Sequence, residues 1–286
     1  MHQPLFSILT TVYNRENYIS DAIERVLESS FDDWELILVD DCSADKSFEI
    51  CKRFAERDSR IRVYQNPQNL GDYANRNQAA SHAKGKYLKY IDSDCCIYPY
   101  TLGILKNLVD HFPQAALILC ASPPDRMPPF ELSPRESLLV HFNEYQLLGR
   151  APGSALILRS AFDKVGGFPN VRHFGDSSLW LKLAAKYPVL AAPEGWYWDR
   201  ILETNEKMIR LTTIKPIAEQ LEHELRFLSD KNLPLSTEER ENFRRCIITK
   251  ARRLALRRFA KTRKPDEIGT LVRLFNPGAW QLSSAA

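Results

Sequence analysis

The chain has 286 residues, 44% of them apolar, and a formal net charge of +3. That is enough for one sizeable core with an appended segment. The longest apolar run, Ala115–Ala121, is far short of the ~20 residues of a transmembrane helix. The six cysteines (42, 51, 95, 96, 120 and 246) form no CxxC pair and no disulfide-like spacing, so they read as reduced cytosolic thiols. The Met-His-Gln-Pro start runs directly into a strand-like stretch and does not resemble a signal peptide.

The first 120 residues alternate between two periods. Leu5–Val12 is a short apolar run and predicts a strand; Tyr18, Ile19, Ala22, Ile23, Val26 and Leu27 recur at helical spacing. Trp34–Val39 is a second strand, and Phe48, Cys51, Phe54 and Ala55 mark a second helix. Ile61–Tyr64, Ala74–Ala83 and Tyr87–Ile91 continue as strand, helix and strand. Nearly continuous apolar strands separated by helices predict an α/β fold, a parallel sheet covered on both faces. Beyond it, residues 122–135 are Pro-rich and predict a loop or linker. Gly153–Leu158 predicts a strand, Gly166–Pro169 a turn and Ser177–Tyr187 a helix; from Glu203 the pattern is helical and polar. No internal repeat is visible.

In such sheets chemistry sits just beyond the carboxyl ends of the strands. The first strand ends in Thr11-Val12-Tyr13-Asn14, the second in Asp40-Asp41-Cys42-Ser43 and the fourth in Asp92-Ser93-Asp94. Carboxylates at i and i+2 in a turn can reach one divalent ion and leave positions open for phosphate oxygens. An Asx turn closing the strand is the alternative reading of Asp92-x-Asp94. Gly71–Asn77 opens a helix whose N-terminus attracts anions, and Arg76 adds a fork-shaped cation suited to phosphate; an ordinary amphipathic-helix arginine would look the same. Asp176 stands where a helix begins, as a reactive carboxylate or as an N-cap.

Five segments occur in order: Thr11-x-Tyr13-Asn14, Val39-Asp40-Asp41-x-Ser43, Gly71-x(4)-Arg76-Asn77, Ala83-x-Gly85-x-Tyr87 and Ile91-Asp92-Ser93-Asp94. With Val165–Phe168 and Phe174–Leu183, this set resembles the inverting family-2 glycosyltransferases over about residues 4–200. The resemblance implies a GT-A fold, a Rossmann-like mostly parallel sheet flanked by helices. Residues 1–95 would form the nucleotide-sugar half, 96–200 the acceptor half and 201–286 a helical, basic C-terminal extension. It implies transfer of one sugar from a nucleotide-sugar, a UDP-sugar in the first instance, to an acceptor hydroxyl in cell-surface glycan synthesis. Asp41 would bond the base, with Thr11 and Tyr13 shaping its pocket. Asp92 would contact the ribose or the metal shell. Asp94 would ligate Mn²⁺ or Mg²⁺, and Arg76 would help hold the nucleotide or its phosphates. Asp176 would be the general base.

The sequence departs from the family pattern at three places. Cys95 follows the metal motif where several members carry another acid, and Gly175 precedes the base where many carry Glu. Leu202 stands where a His often follows an Arg equivalent to Arg200. The Gln-x-x-Arg-Trp signature of processive synthases is absent, so one sugar per binding event is expected. Two competitors remain: a non-catalytic nucleotide-binding member of the fold, and a nucleotidyltransferase. The latter would carry a Gly-rich loop after the first strand, where this chain reads Tyr13-Asn14-Arg15-Glu16-Asn17. The six histidines are scattered without ligand spacing, which argues against zinc; His173 reads as a loop residue or an acceptor-site lining.

Charge is segregated. From Glu241 onward there are eleven Lys/Arg against three acids, a net +8, which leaves −5 of the total +3 for residues 1–240. Ile247, Ile248, Ala251, Leu254, Ala255 and Phe259 form an apolar stripe at helical spacing flanked by Arg252, Arg253, Arg257, Arg258, Lys261, Arg263 and Lys264. Such a helix can lie on an anionic membrane surface, or pack its stripe inward and leave the charges solvated. Nucleic acid is not an expected partner, because the tail lacks interleaved aromatics. The expected location is the cytoplasm, with docking at the inner membrane face open through the tail.

Overall fold

The computed structural model describes residues 3–122, 126–198, 200, 214–263 and 269–274. The chain divides into two compact units, Met1–Arg200 and Ile201–Ala286.

In the first unit the elements run β1 (Phe6–Val12), α1 (Ile19–Leu27), β2 (Trp34–Asp40), α2 (Ser47–Ala55), β3 (Ile61–Gln65), α3 (Asp72–Ser81), β4 (Tyr87–Tyr90) and β5 (Cys96–Ile97). They continue with α4 (Thr101–His111), β6 (Leu117–Cys120), β7 (Phe130–Leu132), α5 (Pro134–Leu139), β8 (Ala155–Leu158), α6 (Arg159–Val165), α7 (Gly175–Ala184), β9 (Val189–Ala192) and β10 (Tyr197–Trp198). Every residue of β2 is buried, as a strand covered by helices on both faces requires. The inward stripe of α1 is Ile19, Ala22, Ile23 and Val26, the i, i+3, i+4, i+7 pattern of one helical face.

Eight strands form one sheet in the order β3-β2-β1-β4-β8-β6-β9-β7. The first four are parallel, with β1 registered to both neighbours (Ile8 opposite Leu36 and Lys89). The rest of the sheet is mixed: β8 runs antiparallel to β4 and β6, and β7 antiparallel to β9. The mostly parallel sheet expected from the sequence is found: β1 to β4 are parallel, as are β6 and β9, and the antiparallel pairs all involve β7 or β8. The chain moves from β1 outward to β2 and β3, then returns to place β4 on the other side of β1. That reversal opens a crevice beyond the carboxyl ends of β1 and β4.

The Pro-rich stretch expected to be a loop also contains structure. Phe130–Leu132 adds to the sheet edge through β9, and Ser133 opens α5 with a reciprocal capping box to Glu136, with Pro134 at the first helical position.

The second unit contains α8 (Ile214–Phe227), α9 (Thr237–Thr262) and α10 (Gly269–Arg273), which contact one another. Ser236 and Glu239 cap α9 reciprocally. Phe243, Ile247, Ala251 and Ala255 of α9 are buried, as are Ala218, Leu221 and Leu225 of α8 and Leu271 of α10. The apolar stripe read from the sequence therefore turns inward within its own unit; Phe259, at its end, is exposed.

Candidate active site

Three strand ends and one helix start converge on the crevice. After β1 the chain turns at Asn14, in the left-handed region (φ 52°), and after β2 at Cys42 (φ 62°). The two turns are tied together: the Asn14 amide donates to Ser43 Oγ (3.0 Å), and Asn14 Oδ1 accepts from the Ala44 amide (2.9 Å). Thr11 is the penultimate residue of β1, opposite Val39, and Tyr13 lies just beyond the strand, 48% exposed.

Asp41 is buried and held by three protein donors. Oδ1 accepts from Asn66 Nδ2 (2.7 Å) and the Leu70 amide (2.9 Å), and Oδ2 accepts from the Gly71 amide (2.9 Å). Asn66 also donates to Asn75 on α3, which donates to the Val39 carbonyl. This network fixes the start of α3 against the end of β2. A carboxylate offers about four acceptor sites, so three donors leave capacity for one more on Oδ2.

After β4, a turn closed by the Cys95 amide on the Asp92 carbonyl (2.9 Å) carries Asp92 and Asp94. Burial, and then the adjacent Asp92 carboxylate, push the Asp94 carboxyl above the usual aspartate range; Arg15 pulls it partly back. Arg15 Nε stands 3.6 Å from Asp94 Oδ2. Asp92 is engaged from the opposite side: Arg76 Nη2 donates to its Oδ1 at 2.7 Å, and Arg76 Nε donates to Asp72 at 2.8 Å. Burial opposes the Arg76 charge, but Asp92 and Asp72 outweigh it and hold the guanidinium more firmly protonated than usual. Its third nitrogen, Nη1, is buried without a protein partner, so its N–H groups remain for an incoming acceptor.

Asp176 is the second residue of α7. The helix has Phe174, in the left-handed conformation (φ 58°), as its N-cap residue and no side-chain cap bond. The N-cap reading of Asp176 is therefore not the arrangement found. Its Oδ1 accepts from the Ser177 amide (2.8 Å) and from the Tyr73 hydroxyl (3.3 Å). Tyr73 and Arg76 lie one turn apart on α3, so a single helical turn touches both Asp176 and Asp92.

The turn suits a hard divalent cation. Asp94 retains a raised proton affinity despite Arg15, so an added cation beside the two carboxylates would be stabilised. Among the described residues no three His, Cys, Asp or Glu side chains come together. An ion there would take the rest of its coordination from substrate oxygens and water, as Mg²⁺ commonly does. Arg15 and Tyr73 were not singled out as site residues from the sequence; neither belongs to a spacing that signals its contact. Arg200 is pinned elsewhere, with Nη2 3.1 Å from Asp21 Oδ2 and its guanidinium over the rings of Tyr18 and Trp198. Leu202, at the departure noted after it, lies outside the described residues. His173 Nδ1 is buried without a protein partner.

A mostly parallel sheet with acidic strand ends at its switch point is the frame of a GT-A glycosyltransferase fold, and solved structures of that fold superpose on the chain. S. aureus TarS (residues 1–349, in complex with UDP-GlcNAc) matches at TM-score 0.73, 16% identity, 96% of this chain and 82% of that one. The mannosyltransferase PcManGT of Pyrobaculum calidifontis, in complex with GDP-Man and Mn²⁺, matches at TM-score 0.63, 17% identity, 96% of this chain and 86% of that one. The family model "Glycosyl transferase family 2" covers residues 7–166, more than half of the sequence, and the chain belongs to that family. Among curated relatives, the TuaG glycosyltransferase named for teichuronic acid biosynthesis in Bacillus subtilis is 40% identical over 92 residues, 32% of this chain and 36% of its own length. Glycosyltransferase GlyG of Streptococcus pneumoniae is 38% identical over 90 residues, 32% of this chain and 30% of its own. The chain thus aligns with about a third of the length of these relatives. No helix among the described residues is long and apolar enough to cross a membrane.

Proposed function

We propose that the protein transfers a single sugar from a nucleoside-diphosphate sugar, with a UDP-sugar as the leading donor, to an acceptor hydroxyl, with inversion and with help from Mn²⁺ or Mg²⁺. The observation that carries this reading is the turn of α3 that bonds Asp92 through Arg76 and Asp176 through Tyr73. On the donor side, Asp41 has acceptor capacity for the base, with Thr11 and Tyr13 beside it. Asp94 and Asp92 would hold the metal ion, which supplies Lewis-acid stabilisation of the diphosphate as it departs. Arg15 and the unpartnered Nη1 of Arg76 offer positive charge nearby. On the other side, Asp176 removes the proton of the attacking hydroxyl, a contribution of roughly 10²–10⁴-fold. One carboxylate acting as base in a direct displacement inverts the anomeric centre, by the logic of inverting glycosidases. Relatives and neighbours named for teichuronic acid synthesis and for UDP-GlcNAc and GDP-Man complexes support surface glycan as the product class and a nucleotide-sugar as the donor.

The test is a nucleotide-sugar panel with Mn²⁺ or Mg²⁺, scored for release of nucleoside diphosphate from wild type, Asp94→Asn and Asp176→Asn. Metal-dependent release from one donor is expected, lost in Asp94→Asn and reduced at least 100-fold in Asp176→Asn with nucleotide binding intact. Nucleotide binding without turnover by wild type would support the non-catalytic alternative. Full turnover by Asp176→Asn would remove it as the base.

The basic unit supports a peripheral contact with anionic lipid, which fits a lipid-linked acceptor. Between Asn242 and Thr262, α9 carries eight Lys/Arg and no acid. Ile247, Ala251 and Ala255 of its apolar stripe are buried, and Leu256 is 70% exposed with Arg252, Arg253 and Arg257 close in sequence. Sedimentation with phosphatidylglycerol vesicles but not phosphatidylcholine vesicles is expected at low salt, weakened by Leu256→Glu; equal recovery with both vesicle types would exclude it.

A further inference from the structure

Gly175 and Tyr73 are a matched pair. A Cβ on Gly175 would lie 2.7 Å from Cγ, Cδ2 and Cε2 of the Tyr73 ring, a distance side chains do not tolerate. The ring therefore rests on bare backbone at the start of α7, in space that any other residue at 175 would claim. Its other neighbours hold it there. It stacks on Phe168 (centroids 5.4 Å apart, 27° between planes). Phe168 is clamped through its backbone by both ends of the Asn77 amide (3.0 and 2.8 Å) and meets Trp180 of α7 edge-on at 6.2 Å. Tyr73 is 4% exposed, and the one polar atom of its side chain donates to Asp176 Oδ1. The preceding residue, Phe174, holds a left-handed backbone that a residue with a side chain adopts at a cost, so the approach of α7 to this ring is imposed by its surroundings.

We infer that Tyr73 is a positioning residue for Asp176: admitted by the missing side chain at 175, its phenol fixes the rotation of the carboxyl group and favours its ionised form. This deepens the reading of Asp176 as the base and rests on it for its catalytic meaning. Two donors, the Ser177 amide and the Tyr73 hydroxyl, converge on one oxygen. Hydrogen bonds to the charged form of a carboxyl lower its proton affinity, and with both donors on Oδ1 it is Oδ2 that would face an acceptor proton. Because Arg76 leaves the same face of α3 to bond Asp92, a shift of Tyr73 also changes how the base is registered to the donor side.

The test follows the carboxyl itself. The full chain is labelled with ¹³C at aspartate carboxyls, and the Asp176 resonance is assigned by its loss in Asp176→Asn. Its titration is then followed in wild type, Tyr73→Phe and Gly175→Ala. Tyr73→Phe removes one oxygen and keeps the ring packed. Asp176 is expected to titrate about half a pH unit higher in that variant, a roughly threefold gain in proton affinity. Gly175→Ala, which displaces the ring with the hydroxyl intact, is expected to shift it in the same direction, and the double variant no further. The carboxyl of Asp32, 88% exposed, serves as the unmoved control. An unchanged Asp176 titration in folded Tyr73→Phe overturns the inference. The titration needs no turnover, so it stands or falls separately from the Asp176→Asn assay that tests the base.

Discussion

Arg15 Nε lies 3.6 Å from Asp94 Oδ2 and so joins the loop after β1 to the turn after β4. The arginine is anchored locally: its amide donates to Ser47 Oγ (2.7 Å) and Nη1 to the Asn14 carbonyl (3.1 Å). Its charge therefore stays over the crevice. When a diphosphate arrives, a guanidinium so placed can turn from carboxylate to phosphate oxygens, for which its planar fork is suited. Arg15→Ala is expected to weaken UDP binding about tenfold, or ~1.4 kcal/mol, and to leave uridine binding unchanged. Calorimetric titration of both ligands checks this. Equal affinities for UDP in wild type and variant would confine Arg15 to balancing charge around Asp94.

Gly85 tests how tightly the frame beneath the site is built. A Cβ there would stand 2.5 Å from the Ser7 amide nitrogen and 2.7 Å from the Phe6 carbonyl carbon, both backbone atoms of β1. No side-chain rotation relieves such a clash, so β1 itself must move. Gly85→Ala is expected to cost roughly 2–3 kcal/mol in urea unfolding, and to loosen Thr11, Tyr13 and Asn14 at the far end of the same strand. A loss below about 0.5 kcal/mol would mean that β1 yields more easily than a central strand should.

The contrast between these residues shows what the sequence could carry. Gly85 sits in a recognisable spacing, and runs such as Leu5–Val12 and Trp34–Val39 announce strands because burial on both faces leaves a continuous apolar signature. Asp41, Asp92 and Asp94 could be located at strand ends once those strands were drawn. Residues 96–97 and 197–198 pair as β5 and β10, but two-residue strands have no period to detect. Phe130–Leu132 hides among prolines, which forbid a central strand yet are tolerated beside an edge one. Contacts that depend on loops or distant helices meeting are silent locally: Arg15 on Asp94 spans two turns, and Tyr73 on Asp176 is separated by 103 positions.

Lys89, on β4 three residues before Asp92, is fully buried. Its ammonium donates to the Gly153 carbonyl and lies over the rings of Trp196 (5.6 Å) and Tyr197 (5.7 Å). Burial pushes its pKa down to about 8. A lysine whose folded pKa lies below its unfolded value of ~10.4 binds fewer protons when folded. Its contribution therefore disfavours the fold below about pH 8 and relaxes as pH rises from there toward the unfolded value. Lys89→Met is expected to match or exceed wild-type stability at pH 7, since buried charges are often replaced by apolar groups without loss. The advantage should shrink at pH 9.5. Urea midpoints of both proteins at the two pH values decide it; a large loss at pH 7 would show that the carbonyl and ring contacts outweigh burial.

Glu224 poses the opposite case in the helical unit. It lies on α8, 6% exposed, with Gln220 Nε2 donating to its Oε1 at 2.9 Å. Burial raises its proton affinity, opposed by the Lys250 charge and the Gln220 bond. A carboxyl whose folded pKa is above its unfolded value holds its proton more tightly when folded, so stability is gained as pH falls through the folded value and is withheld above it. Above its folded pKa the ionised group therefore works against the packing of α8. Glu224→Gln removes that charge and keeps the shape, and is expected to raise the thermal midpoint of the unit by a few degrees, ~4–8 °C per kcal/mol for a unit of this size. The gain should fade near pH 4, where wild-type Glu224 is protonated as well. Thermal melts of the full chain across pH 4–7 measure it; a lowered midpoint at pH 7 would mean that the charge of Lys250, and not burial, governs this residue.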